Sequence, residues 1–511
     1  MFKNHPKGLL AAALANMGER FGFYTMMAIL VLFLQAKFGL SGTKAGLIYS
    51  VFYFSIYGFA FVGGLIADRT RNYKGTILTG ICVMAAGYFI LAWPTKTPVT
   101  NQTFFLILSC IGLLTIAFGN GLFKGNLQAL VGQMYDNYKY TKYRDSGFSL
   151  FYMFINVGAL FAPIAAVAMR NSFLERNGFS YISNLPDLCH SYLRGDITPA
   201  AREKFMFLAN QASDKIPVTD FTAFANSYLD VFTRGFHYAF AIAIGAMLIS
   251  LVIYIINRHK FPNPKPLTEP KTDEEKFMEM DASEIRQRIY ALLAVFGVVI
   301  FFWFSFHQNG LTLTLFAKDY TDLSGIRINL GFTVIQGAEI FQSINPIFIV
   351  LLTPIIMAIF GWLRARKMEP STPKKIAIGM FIAAVAYFVM AMGSLQLPDF
   401  GMLDFMGGLT DDQKVSPMLL ISTYFILTVA ELFISPLGIS FVSKVAPPKY
   451  QGVMQGGWLA ATAVGNQLLF IGAILYTNTS LPFTWLVFVG ACLVSMLTML
   501  FMLNWLERVA K

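Results

Sequence analysis

The chain has 511 residues, 56 % of them hydrophobic and 13 % charged, with a mean hydropathy of +0.58. That is too apolar for a soluble protein of this size. The net charge of +11 does not mark a nucleic-acid binder, because the Lys and Arg fall between hydrophobic segments. Cys82, Cys110, Cys189 and Cys492 show no metal-ligand spacing. Three of them lie in apolar runs, where they read as small buried hydrophobes and not as a disulfide framework. The expectation is a membrane protein with no cofactor, no metal and no nucleic-acid partner.

A bilayer-spanning helix needs about 20 mostly apolar residues. Twelve segments meet that: 8–36, 43–67, 74–94, 103–134, 146–169, 235–257, 287–316, 345–363, 374–395, 416–442, 451–476 and 481–505. The first follows MFKNHPK and runs past signal-peptide length, so it reads as a retained helix. Basic residues gather between spans two and three (Arg69, Arg71, Lys74), four and five (Lys139, Lys142, Arg144), and eight and nine (Arg364, Arg366, Lys367, Lys374, Lys375). The positive-inside bias makes these loops cytoplasmic, and an even number of spans puts both termini on that side. The expected setting is a bacterial cytoplasmic (inner) membrane, with the chain a lipid-embedded monomer.

Residues 171–233 form a polar insertion after span five, which this topology places outside. Within it PAAREKFMFLANQ and TDFTAFANSYLDVF read as short helices with an apolar face, packed over the mouth of the protein or on each other. A surface addition without a part in function is the favoured reading of the insertion, and a substrate-handling domain is its alternative. After span six, residues 258–286 are Pro-rich and charged, a linker that divides the spans six and six. The chain therefore divides into 1–170 (spans one to five), 171–233 (insertion), 234–257 (span six), 258–286 (cytoplasmic linker) and 287–511 (spans seven to twelve).

Each half carries a related element after its second span, GGLIADRTRNYKG at 63–75 and GWLRARKMEPSTPKK at 361–375. With the six-plus-six count this resembles the major facilitator superfamily, whose substrate site lies near the midplane between the halves. The implied fold class is an all-α integral membrane protein with 12 transmembrane helices in two six-helix halves. In the superfamily's GGxxAD pattern the glycines allow close helix approach. Asp68 and Arg69 are then candidates for a cytoplasmic gate.

Ionisable residues inside a membrane cost several kcal/mol unless they face a partner or a wet cavity, so each is a functional candidate. The clear ones are Glu19, Arg20, Lys124, His307 and Glu431. They come from four helices and both halves, the distribution of a polar central cavity and not of one structural bridge.

Several stretches resemble the proton-coupled oligopeptide transporters. GERFGFYTMMAIL is similar to that family's ExxERFxYYGMRAIL signature, GNGLFKGNLQALVGQMY to its fourth span, and SLFYMFINVGALFAP to its FYxxINxGSL signature. FFWFSFHQNG, QSINPIFIVLLTPI and AELFISPLGISFVSKVAPPKYQGVMQGGW follow its seventh, eighth, and tenth to eleventh spans in order. The resemblance implies a secondary active importer of di- and tripeptides coupled to protons. It places Glu431 at the peptide ammonium, Lys124 near the carboxylate or paired with an acid, and Asn156 and Asn345 on the peptide backbone. Tyr24, Tyr57, Trp303, Ser435 and Trp458 fall at positions that shape side-chain pockets. For the aromatics, plain core packing competes with that role. Proton coupling falls to Glu19, Arg20, His307 and Glu431, with Glu19 balanced between burial and its neighbouring cation.

Three positions depart from the family pattern. Asn16 and His307 stand where it has glutamates and Met27 where it has an arginine. A bridge from Lys124 to position 307 cannot form, because both are donors once the imidazole is protonated; a neutral imidazole is expected there. Either His307 takes part in gating, or coupling and substrate have drifted. An intramembrane enzyme is disfavoured, because no HExxH, Ser/Lys or paired-Asp constellation is present. A nutrient sensor on the same scaffold is the other rival, and a long soluble tail is its expected mark.

Overall fold

The computed structural model describes residues 5–509 except 71, 136–139, 141–143, 215, 263–280, 330, 332 and 448–450. Twelve helices in it are long and apolar enough to cross a membrane. The first six are Gly8–Phe38, Gly42–Thr70, Tyr73–Ala92, Gln102–Met134, Arg144–Arg176 and Phe221–Asn257. In the second half the seventh to tenth spans are built on Ala282–Phe306, Ile344–Ala365, Thr372–Gly393 and Met418–Val445. The eleventh is Gln451–Gln467 with Leu469–Asn478, and the twelfth is Leu481–Phe501. The chain is thus a multi-pass membrane protein.

Helix ends follow local chemistry. Gly39, at φ +60°, closes span one in a left-handed turn. Asn72 and Asn101 accept from the backbone N–H of Gly75 and Phe104 at the starts of spans three and four. Asp220 caps span six by accepting from Thr222 and Ala223, so this helix begins inside the polar stretch 171–233. The remainder of that stretch holds two short helices, Leu185–Arg194 and Pro199–Ala212. The linker segment 263–280 lies outside the described residues.

Span one packs against spans five and six, and span four against two and three. In the second half span nine packs on ten and twelve, and seven on eleven. The halves meet where span two lies along span eleven and span five along span eight. Below, the face carrying residues 8 and 509 is the terminal face, and the face carrying Leu185–Arg194 and Pro199–Ala212 is the insertion face.

Span seven does not run unbroken over 287–316. Its helix stops at Phe306, passes through a 3-10 turn at His307–Gly310 and resumes as Thr312–Tyr320. Span eleven breaks opposite, at Leu468. Broken helices at membrane depth need partners for their freed carbonyls. Gln308 bridges the two breaks, donating Nε2 to Phe304 O in the last turn of its own helix and to Leu469 O in the first turn of the facing segment. A Cβ at Gly472 would fall 2.4 Å from its side-chain oxygen, so the glycine makes room for this bridge. His307 sits on that turn.

Candidate functional site

Span four sets up the first group. A Cβ at Gly119 would fall 2.6 Å from the Met84 nitrogen of span three, and one at Gly121 would fall 2.4 Å from the Phe59 carbonyl carbon of span two. These two glycines let three helices meet backbone to backbone. Asn120 lies between them and reaches span one, donating Nδ2 to Glu19 Oε1 at 2.6 Å. Arg20 donates Nε to Oε2 at 2.6 Å and Nη2 to Oε1 at 2.7 Å. Glu19 is fully buried, and the Arg20 guanidinium lies 4.6 Å over the Phe23 ring. Three charge-assisted bonds on one carboxylate offset the cost of taking it out of water.

Lys124 is one helical turn beyond Asn120, on the same face. Its Nζ lies 4.7 Å over the Tyr57 ring, and it has no ion-pair partner among the described residues. Tyr24 and Tyr57 each stand within electrostatic reach of both Arg20 and Glu431. The two halves therefore share one polar space.

On the other side of that space Glu431 is partly exposed, and its Oε2 accepts from Asn345 Nδ2 at 2.9 Å. Asn345 also donates to Thr428 Oγ1 at 3.0 Å, which holds the amide in place. Glu431 has no cation in ion-pair distance among the described residues. Its acceptor capacity is mostly unspent. Asn156, buried in span five, donates to the carbonyl of Tyr152 at 3.2 Å.

His307 pairs with a residue the sequence reading did not single out. Its Nδ1 lies 2.5 Å from Asn466 Oδ1, which fixes the hydrogen on Nδ1 and leaves Nε2 free to accept. Its ring stacks on Trp303, with centroids 4.7 Å apart and planes at 20°, and faces Tyr53 of the other half at 4.8 Å. Trp303 Nε1 and Ser435 Oγ are buried without a partner among the described residues. Trp458 is 3 % exposed and fills the space a Cβ at Gly438 would need, so its packing duty is plain. At the terminal face Arg69 is exposed at the end of span two, and the Asp68 side chain lies outside the described residues.

Asn120, Asn466 and Tyr53 are the neighbours sequence reasoning missed. Polar but uncharged, they carry no burial penalty large enough to flag them. Among further buried ionisable groups are Lys37, Arg170, Lys318, Asp319 and Glu339. Each lies just past the end of a span as drawn from hydropathy, because such spans are trimmed at the first charge.

The sequence profile described as the POT family matches residues 74–280 and 272–485. Peptide transporter YePEPT of Yersinia enterocolitica is 30 % identical over 482 residues, covering 91 % of this chain and 87 % of that protein. The di-/tripeptide transporter of Lactococcus lactis is 25 % identical over 503 residues, covering 91 % and 89 %. Among solved structures, peptide transporter POT in complex with sulfate superposes with a TM-score of 0.71 at 23 % identity, covering 100 % of this chain and 96 % of that one. A POT family transporter in complex with 5-aminolevulinic acid gives 0.71 at 23 %, covering 100 % and 98 %. These relatives are transporters and not enzymes.

Proposed function

Given that this chain belongs to the POT family, we propose that it imports di- and tripeptides together with protons by alternating access between its two halves. The observation that carries the reading is the pairing across one polar space of an unpaired lysine, Lys124, and a carboxylate with open acceptor sites, Glu431. A zwitterionic peptide needs both, an acceptor for its ammonium and a donor for its carboxylate. Asn345 and Asn156 supply amides for the peptide backbone, and Tyr24, Tyr57, Trp303, Ser435 and Trp458 shape the pockets beside it. Glu19 carries the coupled proton: protonation weakens its hold on Arg20, and that change reaches the shared space through Tyr24 and Tyr57. His307, held by Asn466, takes the position from which the family's usual acid is missing.

The chain acts as a monomer in a bacterial cytoplasmic membrane, with the terminal face, both termini and the 258–286 linker in the cytoplasm. The insertion face is outside, and Asp68 and Arg69 belong to the inner gate. In proteoliposomes, labelled dialanine is expected to accumulate above its external concentration only with an inward proton gradient. Equilibration without accumulation, corrected by His307→Glu, would mean coupling was lost with the acid at 307; no entry at all would remove peptides as the substrate.

A further inference from the structure

The polar stretch 171–233 forms one wall of a cavity on the insertion face. Its helix Pro199–Ala212 has two sides of different character. On one side Ala201, Phe205, Ala209 and Ala212 are buried, with the Phe205 ring stacked on Tyr192 at 4.6 Å and edge-on to Phe221 of span six at 5.9 Å. The other side carries Ala200, Glu203, Lys204, Phe207, Leu208 and Gln211, at the three- and four-residue spacing of a single helix face, and lines a cavity of about 930 Å³. That volume falls in the range of small-ligand sites.

The facing wall belongs to the second half: Leu323, Arg327 and Gln336 from the connection between spans seven and eight, and Leu409 from the one between nine and ten. Direct bonds hold the walls together. Asn184 donates to Gly407 O at 3.0 Å, Thr198 to Phe405 O at 2.6 Å, and Lys204 to Gly408 O. Gly407 has a positive φ, and a Cβ there would fall 2.8 Å from Ala201 Cα, so the helix approaches this turn only at a glycine. Tyr181 and Gln336, also in the lining, separate the cavity from the buried ion pair of Arg170 with Glu339: the Arg170 guanidinium lies 4.2 Å over the Tyr181 ring, and its Nη2 donates to Gln336 O at 3.2 Å. A solvated helix side would need neither the facing wall nor the bonds that fix it.

Most of the charge in the lining is already engaged. Lys204 is held by Gly408, and Lys414 pairs with Asp411 at 3.1 Å. Glu203 and Arg327 are different: both are exposed, and neither has an ion-pair partner among the described residues. They stand on opposite walls, an acceptor on the first half and a forked donor on the second. Phe207, 68 % exposed, and Leu208 add apolar surface on the same helix side.

We propose that this cavity is an outer capture site for zwitterionic di- and tripeptides, in which Glu203 accepts from the peptide ammonium and the Arg327 guanidinium donates to its carboxylate. The inference rests on the peptide-import reading above and adds a second site to it, outside the central space of Lys124 and Glu431. Phe207 and Leu208 cover apolar side chains of the bound peptide, and a guanidinium suits a carboxylate because its two parallel N–H groups match the two oxygens. Exposed charges contribute little each, so binding in the millimolar range is expected, weak enough to release the peptide inward.

The test is protection of a cysteine in the lining. Gln211, exposed on the cavity side of the helix, is replaced by cysteine, and its reaction with a membrane-impermeant thiol reagent is followed in detergent-purified protein by mass mapping of residue 211. Glu431→Gln is present throughout, so that the central space contributes little. Trialanine at about 10 mM is expected to slow labelling roughly tenfold, as a site with a Kd of about 1 mM would. The same peptide blocked as its N-acetyl amide is expected to have no effect, and Glu203→Gln with Arg327→Gln is expected to abolish the protection. No protection by free trialanine, equal protection by the blocked peptide, or protection that survives the double substitution would each overturn the capture site. Because protection needs no transport, failure of the import reading shows in uptake and failure of the capture site shows in labelling.

Discussion

Glu19 accepts three hydrogen bonds, two from Arg20 and one from Asn120, all from its own half. Glu431 accepts one, from Asn345, and remains partly exposed. The two carboxylates face the same space from opposite halves, yet one has most of its acceptor sites engaged and the other has most of them open. With three of its roughly four acceptor sites engaged, Glu19 has little capacity left for a ligand cation, although a proton can still compete with its donors. A carboxylate with open lone pairs in a space of low dielectric binds an ammonium well, because folding has already removed part of its water. The difference separates two duties, proton handling at Glu19 and ligand binding at Glu431, and substitution at each position can break that separation.

The largest effect is expected at Glu431. Glu431→Gln keeps the bond from Asn345 within reach of the new amide oxygen and removes the charge that meets the ammonium. Losing a charge-assisted hydrogen bond costs about 2 to 3 kcal/mol, roughly a 30- to 150-fold weaker binding of dialanine. Equilibrium binding of labelled dialanine to detergent-purified protein measures it. Glu19→Gln is expected to leave that binding within about threefold, since an interaction not made with the ligand contributes little to its affinity. The same substitution is expected to abolish gradient-driven accumulation while sparing counterflow. If Glu19→Gln weakened binding as much as Glu431→Gln, the two carboxylates would share one duty and the comparison would fail.

An intermediate effect is expected at Asn120. Asn120→Leu preserves side-chain volume and removes one donor from Glu19, leaving Oε1 with Arg20 alone. The expected loss is about 1 to 3 kcal/mol of stability, the penalty for a buried acceptor short of a partner. Thermal unfolding in detergent reads it, with Asn120→Leu on a Glu19→Gln background as the control. On that background the loss is expected to shrink, because no carboxylate remains to be satisfied.

How far such a site could be read from sequence depends on what each residue costs to bury. Glu19, Arg20, Lys124 and Glu431 stand out because a charge in an apolar run has no cheap explanation. Asn120 and Asn466 do not stand out, although each completes a charged or titratable neighbour, because amides are common enough in helices to pass as surface. The twelve spans were legible from hydropathy, and their order matches the structure's helices. Their ends were not, since hydropathy ends a span at a charge even where the helix carries that charge into a buried pair. Arg170 lies one residue past 146–169 and Glu339 six residues before 345–363. The break in span seven was also invisible, because FFWFSFHQNG has no proline and a single glycine at its end. It is tertiary contact, through Gln308 and Gly472, that satisfies the interrupted backbone there.

The smallest expected effect tests whether His307 belongs to either duty. Its ring stacks on Trp303 and lies tilted against Tyr53, and Asn466 fixes its tautomer from the second half. With Nδ1 engaged, only Nε2 is free to exchange a proton or accept from a ligand. Asn466→Leu removes that constraint without touching the ring stack, so the imidazole can adopt either tautomer. If His307 is merely packed, uptake is expected to stay within about twofold of wild type at every pH, since one lost neutral hydrogen bond changes stability by only about 1 kcal/mol. If His307 gates, the pH dependence of uptake is expected to shift in Asn466→Leu while dialanine affinity at fixed pH holds steady. That result would place the histidine with Glu19 among the proton-handling groups and leave Glu431 as the ligand carboxylate. A change in affinity with no shift in the pH profile would instead move His307 to the ligand side of the comparison.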